Sequence, residues 1–141
     1  ATDLLADTKL ALELSNEAHY YRAKAYLDAG KTDGAMEDLK ILAKDTRNVY
    51  GAEAKYKVAQ IYFDGGQTDK AEQEVLNYIE VSTPHTYWLA RSFVLLADVY
   101  MKLGRNLDAK QYLLSLKQNY QADDDIAGMI ESRLEKLKTE N

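Results

Sequence analysis

The chain has 141 residues, 46% of them apolar and 29% charged, which suits one globular domain with its own core. Its formal charge is −5, and the basic residues are interspersed with acidic ones, which argues against a nucleic-acid surface. The lack of cysteine excludes disulfides and thiolate sites, and the longest uncharged apolar run, Phe93 to Ala97, is far short of the roughly 20 residues of a membrane span.

The chain opens on Ala1 and shows no leader pattern, so a fragment or a processed protein is expected. Residues 1–7 (ATDLLAD) read as the end of a helix whose partner is missing, and 1–14 as the remnant of a preceding helix or linker. From there a pattern recurs three times. Ala23, Ala59 and Ala97 are each followed, at constant offsets, by a tyrosine (Tyr26, Tyr62, Tyr100), a glycine (Gly30, Gly66, Gly104) and a second alanine (Ala35, Ala71, Ala109). A leucine or valine (Leu39, Val75, Leu113) closes each copy. The copies lie 36 and 38 residues apart, from Ala23 to Ala59 and from Ala59 to Ala97.

Each copy reads as a helix hairpin. In the second, apolar residues recur at helical spacing over 54–63, D64-G65-G66-Q67-T68-D69 interrupts them, and a second helix runs over 71–79. Gly66 suits the left-handed position that ends a helix, and Thr68 is expected to cap the next one. The alanines mark where the two helices touch.

The two extra residues of the 38-residue step are expected in the connection S82-T83-P84-H85. Thr83 is read there as a cap and Pro84 as the first helical residue. Trp88 aligns with Tyr50 and Leu14 and is expected to pack onto the preceding hairpin. His85 is placed, exposed, in the first turn. His19 aligns with Lys55 and Phe93, so its position demands no special chemistry. Beyond the third copy, Ile126, Met129, Ile130, Leu134 and Leu137 form the apolar face of a terminal helix. Asp123, Asp124 and Asp125 stand at its favourable N-terminus, where calcium binding is the lesser alternative.

The order small residue, Tyr, Gly, Ala at these offsets resembles the tetratricopeptide repeat (TPR) over about residues 16–120, with a period longer than the usual ~34 residues. Long-period repeats of this type are similar to those of bacterial cell-envelope assembly proteins. The resemblance implies an all-α, right-handed α-α superhelix of helix hairpins with a C-terminal capping helix. The expected divisions are 15–48, 49–82 and 83–120 for the three repeats and 121–141 for the cap.

It also implies a concave face lined by the first helix of each hairpin. By helical phase that face carries Glu17, Tyr20, Lys24 and Leu27, then Glu53, Tyr56, Gln60 and Phe63, then Arg91, Val94, Asp98 and Met101. Partner binding is assigned to Tyr20, Lys24, Leu27, Tyr56, Gln60, Phe63, Arg91, Asp98 and Met101. The carboxylate clamp that some TPRs build from Lys and Asn is not reproduced, since Tyr20 and Lys24 stand there.

No phosphate loop, G-x-S-x-G or nucleophile–base pattern occurs, so no catalytic, cofactor or metal site is assigned. The expected function is a non-catalytic scaffold that binds a protein or peptide in the groove, as the C-terminal part of a larger repeat protein. The alternative is a spacer that self-associates through its N-terminal end. The period and the opening residue lean the expected location towards a bacterial periplasm or envelope, with the cytoplasm as the other choice.

Overall fold

The computed structural model describes residues 4–81 and 83–139. Their elements are α1 (Leu4–Asp28), α2 (Thr32–Leu42), α3 (Val49–Asp64), α4 (Thr68–Glu80), α5 (Thr86–Lys102), α6 (Asn106–Asn119) and α7 (Ile126–Thr139). Residues 1–3, part of the expected N-terminal remnant, lie outside the described residues, as does Ser82 of the connection. The expected boundary at 14/15 falls inside α1, which runs through it without a break.

The helices pair as α1–α2, α3–α4 and α5–α6, and successive pairs stack through α2–α3 and α4–α5. The first helices form an inner layer, α1 on α3 on α5, and α7 joins it against α5 and α6. This is the α-α superhelix that the repeat implies, with α7 in the place of a fourth hairpin's first helix.

One local device closes every hairpin. Gly30, Gly66 and Gly104 have φ of +74°, +80° and +77°. Behind each, the next residue's N–H reaches back to the repeat tyrosine's carbonyl: Lys31 to Tyr26 at 2.7 Å, Gln67 to Tyr62 at 2.8 Å, Arg105 to Tyr100 at 2.7 Å. The glycine N–H itself donates to the following residue's carbonyl, on Leu27, Phe63 or Met101. This is a Schellman closure. The carbonyls of Lys31, Gln67 and Arg105 then accept from Ala35, Ala71 and Ala109, which opens the second helix at once. Each second alanine therefore sits one turn in, fully covered by the first helix.

Thr68 is accordingly the first helical residue and not a cap. The cap position belongs to Gln67, which makes no side-chain cap bond. The connection before α5 also differs from expectation. Pro84 lies outside the helix, and the cap position is His85. Thr83 Oγ1 accepts from the His85 N–H at 3.2 Å and donates to the Thr46 carbonyl at 2.7 Å, tying this connection to the one before it. His85 is half-buried, with Nε2 3.0 Å from the Arg47 carbonyl oxygen. The longer step is absorbed by helix, because α4 (13 residues) exceeds α2 (11) while 81–85 is no longer than 43–48.

Asp38 is the charged residue most deeply buried among the described ones, at 1% exposure. Arg22 clamps it with Nε at 2.8 Å and Nη2 at 2.6 Å, and His19 Nδ1 lies 2.8 Å away. His19 therefore has a chemical partner that alignment alone did not suggest. Asp38 aligns with Glu74 and Tyr112 as His19 aligns with Lys55 and Phe93. The same cross-hairpin contact recurs as Lys55–Glu74 at 2.9 Å and as Phe93–Tyr112 rings 6.2 Å apart.

Candidate protein-interaction groove

The nine expected partner residues stand on α1, α3 and α5, the helices of the inner layer, in three unlike environments. At the N-terminal end, Tyr20 Oη donates to both Glu53 carboxylate oxygens at 3.1 Å, joining α1 to α3. Its ring packs on Tyr50, centroids 4.5 Å apart, and Lys24 Nζ lies 5.4 Å from its centroid. Burial, then the Glu53 carboxylate, pushes the Tyr20 hydroxyl up to about 12. Lys24 is exposed and Leu27 half-buried.

In the middle, Tyr56 is only 6% exposed, contrary to the expectation of an exposed aromatic. Trp88 covers it, ring centroids 5.7 Å apart, as does the guanidinium of Arg91. Its hydroxyl accepts from Arg91 Nη2 at 3.1 Å and donates to Gln60 Oε1 at 2.8 Å. Gln60 in turn donates to Asp64 at 2.8 Å. Arg91 Nη1 also donates to Tyr87 Oη, which donates to Asp125 ahead of α7. Val94, expected on the groove surface, belongs to the core at 3% exposure. Trp88 packs onto the preceding hairpin as read from its alignment.

At the C-terminal end the layer opens. Phe63 from α3, Asp98, Met101 and Lys102 from α5, and Ser132, Arg133 and Lys136 from α7 line a cleft of about 680 Å³. Asp98 holds Arg133 through two bonds, from Nε at 2.8 Å and Nη2 at 2.9 Å, which fixes α7 on α5. The sequence reading found Phe63, Asp98 and Met101. It missed Lys102, next to Met101 on α5, and Ser132, Arg133 and Lys136, whose approach depends on where α7 docks.

Residues 17–45 and 90–119 each match a family model described as tetratricopeptide repeat. The chain is a tetratricopeptide-repeat protein. The hairpin between those stretches, α3–α4, repeats the same glycine closure and buried alanines, so this TPR stack holds three hairpins among the described residues. TPR repeats generally mediate protein–protein interaction and serve as non-catalytic scaffolds. No helix among the described residues is long and apolar enough to cross a membrane. A search of curated proteins returned no match to this TPR chain.

Proposed function

We propose that this TPR stack binds an extended segment of a partner protein along its inner face, anchored in the cleft between α3, α5 and α7. The observation that carries this reading is the cleft's composition. Phe63 and Met101 offer half-buried apolar surface, and Lys102 and Lys136 stand exposed beside it. Arg133 is already neutralised by Asp98, so the two lysines set the local charge. An apolar floor with cationic walls favours a segment that carries an apolar side chain between acidic ones. The middle of the groove contributes shape, since Arg91 and Tyr56 are spent on each other.

The test is capture of a partner by the intact chain beside the variants Phe63→Ala, Lys102→Glu and Leu114→Ala. Leu114 is exposed on α6, outside the inner layer. The reading expects one partner retained by the parent and by Leu114→Ala and lost with either cleft variant. Equal retention by all four chains would move the binding surface elsewhere.

A further inference from the structure

The groove between the outer helices of the first two hairpins carries charge that the repeat itself does not require. α2 and α4 form its sides and α3 its floor, around a volume of about 400 Å³. Lys40, near the end of α2, and Lys44, just beyond it, stand exposed on one side. Asn77 and Val81 line the other side, and Val58 and Tyr62 the floor. Lys40 from α2 and Lys70 from α4 both reach the Tyr62 ring, with Nζ 5.7 and 5.6 Å from its centroid.

Lys55, also in the groove, is matched by Glu74 at 2.9 Å. Lys40, Lys44 and Lys70 make no ion pair with a described carboxylate, although the chain has 23 acidic residues against 18 basic ones. Like charges gathered round one groove repel each other. The next groove along the stack, between α4 and α6, shows that the fold does not need them there. The residues aligned with Lys40, Lys44 and Lys70 are Leu76, Glu80 and Asp108, so three positive positions become one apolar and two negative.

We propose that this outer groove docks a short acidic segment of a partner protein, whose carboxylates meet Lys40, Lys44 and Lys70. The three ammonium groups stand on separate stems, and no arginine fork lines the groove. That spread suits several carboxylates along a chain better than one phosphate. Val58, Tyr62 and Val81 offer apolar surface to the segment's hydrocarbon, and the Asn77 amide, bonded to no described residue, can meet its backbone. Asp33 and Glu37 precede Lys40 on α2, and Asp69 precedes Lys70 on α4. A long polyanion is repelled by these acids on leaving the groove, whereas a short segment is not. The groove shares no lining residue with the inner cleft, so it stands or falls apart from the cleft reading.

The experiment titrates the isotopically labelled full chain, at low salt, with a peptide of glutamates around one central leucine, and follows the amide shifts by NMR. Shifts are expected to cluster about Lys40, Lys44, Tyr62 and Asn77. Lys40→Gln combined with Lys44→Gln should weaken binding about tenfold, with helix content unchanged because both side chains are exposed. Lys110→Glu, at an exposed position of α6, makes the same change in net charge and should leave binding as it is. Shifts confined to Phe63, Met101 and Lys136 would place the acidic segment in the cleft and overturn the proposal while the cleft reading stood. Inorganic phosphate binding the same residues as tightly would make this a site for free anions only, and a single-stranded DNA oligonucleotide binding them more tightly would make it a nucleic-acid surface. Either result overturns the proposal, as does an absence of shifts at roughly millimolar peptide.

Discussion

Arg91 lies over the ring of Tyr56, its guanidinium carbon 4.9 Å from the centroid, and also donates to the phenolic oxygen at 3.1 Å. One side chain thus roofs the ring and satisfies its polar end, and so binds α5 to α3. The pair makes the middle of the inner face structural.

Tyr56→Ala should therefore act on stability, costing about 3 kcal/mol as a buried aromatic truncation. Tyr56→Phe should cost about 1 kcal/mol, since it strips Arg91 and Gln60 of a shared partner. Phe63→Ala, at a half-buried cleft position, should cost less than Tyr56→Ala. Urea unfolding followed by circular dichroism checks the order. A Tyr56→Ala chain as stable as the parent would show that Arg91 and Trp88 do not cover the ring.

The contact between position 19 and position 38 should accept the chemistry of its counterpart in the second hairpin. Asp38→Ala is expected to cost about 1–3 kcal/mol, because Arg22 and His19 lose a charged acceptor while Arg22 remains half in solvent. His19→Lys combined with Asp38→Glu should recover part of the loss, measured as a double-mutant cycle. Arg22, foremost, and then His19 hold the Asp38 carboxyl below the usual carboxylate range, against its burial. Its contribution is thus present above the ordinary carboxylate pKa of about 3.9 and is lost as pH falls through the lowered folded value. The parent's stability advantage over an Asp38→Asn chain should therefore be full above about pH 4 and shrink as pH falls further, and an advantage that does not change with pH would refute the pair.

Two glycines should respond very differently to alanine. At Gly66 an added Cβ meets nothing within 4 Å, so the cost is the backbone's own, about 1–2 kcal/mol for the left-handed conformation. At Gly51 the Cβ would stand 1.9 Å from the Asp45 carbonyl oxygen and 2.6 Å from that of Leu42. Gly51→Ala must push α3 away from the preceding connection and should cost more than about 3 kcal/mol. Thermal denaturation of the two variants checks the ranking.

Alkali should loosen the stack as tyrosines ionise. Burial first, then a neighbouring carboxylate, raises Tyr20, Tyr100 and Tyr120 to about 12 each, with Glu53, Glu72 and Asp124 the respective neighbours. A folded pKa above the unfolded value means the contribution is full below about pH 10 and disappears as pH rises through about 12. Phenolate absorbance and helix content followed together should show these tyrosines ionising late. Full ionisation near pH 10 in the folded chain would refute the burial argument.

The recurring glycines and alanines were legible because each answers to a local cause repeated in every copy: a left-handed turn at glycine and a close helix contact at alanine. The cross-hairpin contact was hidden because its chemistry changes, from His–Asp to Lys–Glu to Phe–Tyr, while its register holds. Lining up opposite charges at 19/38 and 55/74 would have revealed it. Thr83 and Pro84 misled because a capping signal is local, whereas the Thr83 hydroxyl is engaged by Thr46 in the preceding connection. The groove was half legible. Helical phase places Phe63, Asp98 and Met101 on one side of α3 and α5, but the cover over Tyr56 comes from Trp88 and Arg91 of α5, and the far wall beside Phe63 and Met101 from where α7 docks.

The core is not one piece. Ala23, Ala35, Leu39, Leu42, Ala54 and Val58 make one cluster, and the residues from Tyr56 through Leu137 make another. The boundary between them falls within α3, so a load applied along the stack meets one joint, with the larger block behind it. Pulled from its two ends, the chain should pay out in instalments, first hairpin before the rest, as a spring with one soft coil. A scaffold made this way can yield at its N-terminal joint and keep the cleft at its other end in shape.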